Sequence, residues 1–107
     1  MNQFSVYMTA PDQDTAVRIA RIIVTEQLAA CVNILSPITS VYRWEGKVEE
    51  DGEVALIAKT TAAQFPALAA RVKALHPYQV PCIVAWPIAA GYQPYLDWIN
   101  AETAIPS

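Results

Sequence analysis

The residues best suited to chemistry are gathered at positions 75–83. This segment, Leu75–Ile83, contains the single histidine, His76, one of the two cysteines, Cys82, and two prolines. Each proline fixes its own φ and pushes the residue before it toward extended geometry. The pattern therefore places the His76 imidazole at a junction between a helix and a strand, where its direction is well defined, and any site should lie near this segment.

Metal binding is one chemistry that these residue types permit. A structural zinc site needs four Cys or His ligands, whereas the chain offers three, Cys31, His76 and Cys82, in separate segments. This excludes zinc held within one subunit. It leaves open a site shared between subunits, or a copper(I) site of low coordination number that uses His, Cys or Met donors. The alternatives are a His76 cation at a helix end and cysteines that act as small buried hydrophobic residues.

Catalysis is poorly supported by the residues. A Cys–His pair would have to join His76 to Cys82 or Cys31, and the chain has no G-x-S-x-G elbow. Its three glycines form neither a dinucleotide-binding nor a P-loop spacing. The two cysteines lie outside any C-x-x-C pair, which favours free thiols in a reducing compartment. We expect a protein that is not an enzyme.

Aromatic and charged residues suggest where a ligand cleft could lie. An acidic run at 49–53 could attract divalent cations, but the favoured interpretation is a solvated loop or bulge, because strand alternation would point its carboxylates to different faces. Lys59 emerges from an apolar run and should have an anionic partner, for which Glu45 across a hairpin is the candidate. Five aromatic residues could line a cleft or a subunit interface: Tyr42, Trp44, Tyr92, Tyr95 and Trp98.

Hydrophobic periodicity predicts the elements that must position these side chains. A first strand at Phe4–Thr9 precedes a helix that starts near Asp12, with an apolar stripe of Val17, Ala20, Val24 and Leu28. A long hairpin follows, then a helix that begins between Thr61 and Pro66 and carries Phe65, Leu68, Val72 and Leu75. The remaining predicted elements are the hairpin strands Cys31–Trp44, bent at Pro37, and Lys47–Thr60, a buried strand Val80–Ile88 and a helix Pro94–Ala101.

This order, β-α-β-β-α-β followed by a helix, predicts an α+β, ferredoxin-like sandwich with helices on one face of the sheet. The 107 residues fit a single domain, 1–107. The hairpin strands are long against a mean strand of about 5–6 residues. Long hairpins in small domains can pair with other subunits.

Composition points to an oligomer. Hydrophobic residues make up 54% of the chain and charged residues 16%, where about a quarter is usual. The longest apolar run, 80–90, is broken by prolines and is shorter than the roughly 20 residues of a membrane span. The surplus apolar surface therefore predicts an obligate homo-oligomer. The net charge of −3 argues against nucleic acid and anionic membranes, and the N-terminus shows no secretory signal, so we expect a cytoplasmic protein.

Several short motifs occur in an order that resembles the CutA family of divalent-cation tolerance proteins, over essentially the whole chain. They are Thr9–Asp12, Leu28–Asn33, Tyr42–Lys47, Lys59–Thr60, His76–Tyr78 with Val80–Pro81, and Gly91 with Tyr95-Leu96-x-Trp98. The resemblance implies a tight homotrimer assembled through the long hairpins, similar in architecture to the PII signalling proteins. It also implies tolerance of copper or other divalent metals, with no established reaction.

The resemblance also carries over metal-ligand positions of bacterial members. The histidine that opens H-P-Y is His76, whereas the cysteine before T-A-P-D is Met8 here and a preceding histidine is Leu75. Met8 could still offer a soft thioether to copper(I), but Leu75 offers no donor. Cys82 stands where the family commonly has a glutamate. If that glutamate helps a cleft to bind cations, this chain should prefer softer ions.

Two hypotheses about function follow. The first is a trimeric tolerance protein that binds copper(I), copper(II) or another divalent metal weakly at His76, with Met8 or Cys82. The alternative is a PII-like sensor trimer whose inter-subunit clefts bind a small anionic ligand or an unknown protein partner. The residues that would line such a cleft are Trp44, Glu45, Lys47, Lys59 and Tyr78.

Overall fold

A computed structural model describes residues 2–104 of the chain. Within them the predicted order of elements is confirmed, although several boundaries move by one to three residues. Residues 1 and 105–107 of the predicted domain lie outside the described residues. The elements are β1 Gln3–Ala10, α1 Gln13–Thr25, β2 Cys31–Trp44, β3 Lys47–Thr61, α2 Phe65–Leu75, β4 Ile83–Pro87 and α3 Gln93–Glu102.

The strands form a four-stranded sheet in the order β2-β3-β1-β4. Every neighbouring pair is antiparallel, and β1 lies between β3 and β4. This is the predicted α+β, ferredoxin-like arrangement, with two β-α-β units interleaved in one sheet. No helix of the described chain is long and apolar enough to cross a membrane.

The hydrophobic core lies between one face of the sheet and the helices α1 and α2. Val6, Met8 and Ala10 alternate along β1 and point into it, as do Leu56 and Ala58 of β3. The predicted stripe of α2 is confirmed: Leu68 and Val72 are fully buried, and Phe65 and Leu75 pack against the same cluster.

Helix α1 begins as the sequence predicts but buries a different face. The Asp12 carboxylate caps it by accepting a hydrogen bond of 2.8 Å from the Thr15 amide, which lowers the pKa of Asp12. The predicted stripe was wrong at Val17, which is half-buried and does not pack against the core, and at Val24, which is 38% exposed. The run of apolar residues at 22–24 permits two neighbouring stripes, and the one with two alanines lets the helix approach the sheet closely. The buried residues are Ala16, Ile19, Ala20 and Ile23.

The hairpin of β2 and β3 extends beyond the rest of the sheet. Within β3, pairing with β1 begins at Val54, which lies opposite Ala10. Residues 38–53 therefore form a two-stranded ribbon that projects beyond the other strands of the sheet. The acidic run lies within this ribbon, with Asp51 opposite Ser40, so its interpretation as a loop or bulge was wrong. The irregularity lies in β2 instead, between Leu35 and Ile38, where Pro37 was predicted to bend the strand.

Strand alternation leaves the opposite face of the sheet without α1 or α2. We call this the helix-free face. Helix α3 covers one end of it: Gln3 Nε2 donates to Asn100 Oδ1 at 3.1 Å, and Cys31 Sγ lies 3.3 Å from the Tyr95 hydroxyl. Both cysteines are free thiols, as predicted. The rest of the face exposes about half of three large apolar side chains, Leu35, Val84 and Trp86.

The two adjacent residues Ile23 and Val24 test the assignment of the buried face of α1. Replacing Ile23 by Ala should lower the free energy of unfolding by about 2–5 kcal/mol, because it leaves a cavity in the core. Replacing Val24 by Ala should cost less than about 1 kcal/mol, since the site is largely exposed. Urea denaturation followed by circular dichroism measures both. A larger loss for Val24→Ala than for Ile23→Ala would contradict the packing.

Candidate functional site

A cavity of about 610 Å³ lies on the helix-free face, where the ribbon leaves the sheet. We call it the ribbon cavity. One wall comes from β1 and the ribbon, and the other from the segment between α2 and β4. The first wall contains Tyr7, Thr9, Ser40, Tyr42, Trp44 and Glu53, and the second contains Pro77, Tyr78, Gln79, Val80 and Cys82.

The pairing register explains why the first wall presents these side chains. Residues directly opposite one another in an antiparallel pair share a face, and each strand alternates faces. Glu53 lies opposite Ile38. Two residues further along β3, Ala55 lies on the same face, opposite Thr9. Two-residue steps then bring Ser40, Tyr42 and Trp44 to the same side.

The second wall is fixed by His76, the first residue after α2. Its backbone is extended (φ −83°, ψ 137°), as the following Pro77 predicts. Its Nδ1 accepts a hydrogen bond of 3.1 Å from the Tyr78 amide, so Nε2 carries the proton and donates to the Thr9 carbonyl oxygen at 2.7 Å. The imidazole is buried, its centroid lies 4.6 Å from that of the Tyr78 ring, and both nitrogens are engaged. His76 therefore positions the wall without lining the cavity.

Two phenols hydrogen-bond two carboxylates in and beside the cavity. The Tyr78 hydroxyl donates to Glu53 Oε2 at 2.8 Å, and the Tyr42 hydroxyl donates to Asp51 Oδ2 at 2.5 Å. The bond to Asp51 is the main cause that raises the pKa of Tyr42 to about 12. Burial, and then the bond to Glu53, raise the pKa of Tyr78. Both phenols are therefore protonated donors at neutral pH.

Cys82 brings a sulfur atom to the cavity, but as a thiol. Burial, and then the negative charge of Glu53, raise the pKa of the Cys82 thiol above its ordinary value of 9.0. A protonated thiol is a poor nucleophile, and it binds a metal only by releasing its proton. Cys82 can thus act as a ligand whose affinity rises with pH.

The other predicted metal ligands lie elsewhere. Met8 is only 1% exposed and points into the core, on the opposite face of the sheet from the cavity. Within residues 2–104, no group of three or more His, Cys, Asp or Glu side chains is placed to hold a metal ion. Glu53 and Cys82 are thus a pair of donors within one subunit, short of a complete coordination sphere.

The predicted cleft residues divide into two groups. Trp44 and Tyr78 line the ribbon cavity, whereas Glu45, Lys47 and Lys59 lie outside its lining. Glu45 occupies the hairpin turn, where it and Gly46 have positive φ angles of 50° and 80°. The predicted Glu45–Lys59 pair was wrong. Lys59 lies opposite Ser5 and Cys31, and the β3 strand from Lys47 to Lys59 spans about 40 Å at roughly 3.4 Å per residue.

Sequence patterns missed four of the cavity residues, Tyr7, Thr9, Ser40 and Glu53. The alternation of β1 places Tyr7 and Thr9 on the face opposite Val6 and Met8, which identifies a common side but not a cavity. Glu53 belongs to an acidic run whose members looked equivalent. The strand register distinguishes it, because Glu53 is the member closest to the end of β1, where Tyr78 covers it.

Comparison with known proteins places this architecture in a well-populated group. The family model described as CutA1 divalent ion tolerance protein matches residues 4–102. The divalent-cation tolerance protein CutA of Thermus thermophilus is 55% identical over 98 residues, which cover 92% of this chain and 95% of that protein. Protein CutA 1, chloroplastic, of Oryza sativa is 48% identical over 92% of this chain. This chain spans only 55% of the length of the rice protein.

A solved structure confirms the fold. The divalent cation tolerance protein (Cut A1) from Thermus thermophilus superposes with a TM-score of 0.93 at 53% sequence identity. The alignment covers 95% of this chain and 99% of that one. The four-stranded antiparallel sheet and its helices are thus shared with a protein of closely similar sequence.

Replacing Asp51 by Asn tests the phenol–carboxylate contact. The pKa of Tyr42 should fall from about 12 toward its ordinary value of 10.0, because the anionic acceptor that favours the protonated phenol is lost. Glu50→Gln is the matched control, since it removes the same charge from the other face of the ribbon. Tyrosine Cζ resonances in isotope-labelled protein, assigned with Tyr42→Phe, report the titration. Equal shifts in the two variants would refute a specific contact.

Proposed function

This chain belongs to the CutA1 divalent ion tolerance family, and we propose that it acts as a homotrimer that binds copper or other divalent cations weakly in its ribbon cavity. The family description names tolerance of divalent ions and no reaction, and the proposal includes no catalytic step. It rests mainly on one observation, the buried carboxylate of Glu53 in the wall of the cavity.

Glu53 makes the cavity suited to cations. Its side chain is only 9% exposed and is hydrogen-bonded by one phenol, that of Tyr78. A buried carboxylate is costly unless it is paired, so a cation in the cavity would be favoured. None of the lining residues in the described chain is a lysine or an arginine. The alternative, a PII-like sensor of anionic ligands in inter-subunit clefts, would use Lys47 and Lys59, which lie on the helix-free face but outside this cavity.

Cys82 and Glu53 are the ligands that we propose. They combine a thiolate, which suits copper(I), with a carboxylate, which suits harder divalent ions. Of the three ligands predicted from sequence, we retain Cys82. Met8 would have to leave the core, and His76 would have to give up a backbone hydrogen bond. Two donors leave the other coordination positions to water or to a neighbouring subunit, which is consistent with weak binding.

The helix-free face supports the homotrimer. It exposes Leu35, Val84 and Trp86 on one side of a small domain, and large exposed apolar patches usually mark interaction sites. The ribbon projects beyond the sheet and offers strand edges to another subunit. Burial of this apolar patch, none of whose three residues lines the ribbon cavity, would account for the excess of hydrophobic residues in the composition. The rice relative is named as chloroplastic, so family membership alone does not assign a compartment, and the cytoplasmic location stays a proposal.

Metal titration tests the proposed ligands. Copper(I) affinity, measured by competition with a chromophoric chelator, should fall about tenfold or more in Cys82→Ser and in Glu53→Gln. Cys31→Ser is the control, because Cys31 is a free thiol beside Tyr95 and outside the cavity lining. Wild-type affinity should rise between pH 7 and 9, since the raised pKa of Cys82 makes proton release part of binding. Unchanged affinity in Cys82→Ser would rule out this ligand.

The homotrimer has its own test. Light scattering on a size-exclusion column should give about 35 kDa, three times the chain mass of 11.7 kDa. Trp86→Glu should shift the mass toward that of one chain, because it places a charge in the apolar patch of the helix-free face. Ala70→Glu, on an exposed position of α2, should leave the mass unchanged. A monomeric wild type would refute the proposal.

A further inference from the structure

The ribbon cavity is much larger than a metal ion requires. Its volume of about 610 Å³ falls within the roughly 300–1,000 Å³ of sites for small organic molecules. A water molecule occupies only about 30 Å³ in the liquid, so an ion with a few waters would fill a fraction of the space. The Glu53–Cys82 pair accounts for one part of the wall and leaves the remainder without a role.

Four aromatic side chains form much of that remainder: Tyr7, Tyr42, Trp44 and Tyr78. The face of an aromatic ring is negative, and it attracts ammonium and guanidinium groups within about 6 Å of its centroid. Tyr42 and Trp44 lie on the ribbon, outside the core, so their rings present substantial exposed surface. These rings offer no ligand to a metal ion held at the Glu53–Cys82 pair, whereas they suit a cation that carries apolar groups.

The carboxylates at the cavity are negative, and the nearest lysines lie outside its lining: Lys47 is opposite Trp44, and Lys73 donates a hydrogen bond of 2.8 Å to the Gln79 carbonyl oxygen. Glu53 lines it, and Asp51 lies next to it on the same side of β3. Their phenol partners donate hydrogen bonds to them and remain uncharged at neutral pH. In the described part of the chain, no basic side chain lines the cavity to neutralise these carboxylates. An anionic or neutral ligand would leave Glu53 buried and without a counter-charge, whereas an organic cation would supply one.

We propose that the ribbon cavity binds a small organic cation, an amine in protonated or quaternary form, with its charge beside Glu53 and its carbon groups against the aromatic wall. The proposal goes beyond metal binding and shares only Glu53 with it. Because the metal also needs Cys82 and the amine also needs the aromatic rings, the two ligands have separable requirements. They compete for the same carboxylate.

Choline is a suitable probe, because 3,3-dimethyl-1-butanol has the same shape without the charge. Isothermal titration calorimetry at constant ionic strength should show saturable binding of choline to the full-length protein, at least about tenfold tighter than binding of the alcohol, a ratio set by the cation–π and carboxylate contacts. Choline should also weaken copper(I) binding through Glu53. Equal binding of the two probes, or no saturable binding of choline, would overturn the proposal.

Variants separate the two ligands of the cavity. Trp44→Leu and Glu53→Gln should each weaken choline binding about threefold to tenfold or more. Trp98→Leu, which changes an exposed aromatic residue of α3 outside the lining, should leave it unchanged. Cys82→Ser should reduce copper(I) affinity and leave choline affinity intact, so failure of the metal proposal is distinguishable from failure of this one. Tyr42→Leu replaces Trp44→Leu if circular dichroism shows that the latter is unfolded. Choline binding that is insensitive to the ring variant would overturn the proposal.

Discussion

The bridge made by His76 between two backbone groups is the contact on which the site depends. The imidazole donates to the carbonyl oxygen of Thr9 at the end of β1 and accepts from the amide of Tyr78. It thereby ties the segment between α2 and β4 to β1, one of the two inner strands of the sheet. That attachment sets the direction of Tyr78, whose hydroxyl reaches Glu53 on the neighbouring strand. Without the bridge, the second wall of the ribbon cavity would depend on the Tyr78–Glu53 hydrogen bond for its position against the first.

The strand register supplies the other constraint. Successive side chains of a strand point to opposite faces, so one register places Val6 and Met8 in the core and Tyr7 and Thr9 on the helix-free face. The ribbon, residues 38–53, then continues the helix-free face beyond the end of β1. Core, apolar patch and cavity are consequences of the same alternation. A slip of one residue in the pairing of β1 with β3 would turn core side chains toward the helix-free face and cavity side chains toward the core.

Local patterns predicted what depends on local chemistry. The extended backbone of His76 follows from Pro77, the start of α1 follows from the Asp12 cap, and the order of elements follows from periodicity. One failure concerns a choice that tertiary contacts make. The apolar run at 22–24 fits two helix faces, and only packing against the sheet selects Ile23 over Val24. The Glu45–Lys59 pair was wrong for a reason that the predicted strand bounds already contained, because Glu45 lies in the hairpin turn and Lys59 at the far end of the return strand.

The site could be located from sequence more easily than its chemistry could be assigned. The segment 75–83 does form a wall of the cavity, but its histidine acts on the backbone and its cysteine faces the open space. Recognition of His76 as a possible ligand relied on residue type. Its role is decided instead by two backbone atoms, one of them 67 positions away in sequence. The important acidic residue, Glu53, came from a run that periodicity treated as solvated surface.

Glu53 is difficult to explain by stability alone. Removal of a carboxylate from water is costly, and one phenol hydrogen bond offsets only part of that cost. A Gln at this position would accept the same bond from Tyr78 without the charge. The neighbouring carboxylates of the ribbon are exposed and bear no such cost. A buried negative charge that faces a cavity with aromatic walls is therefore better explained by a cation that enters the cavity than by the demands of the fold, and His76 serves this arrangement by holding Tyr78 in place.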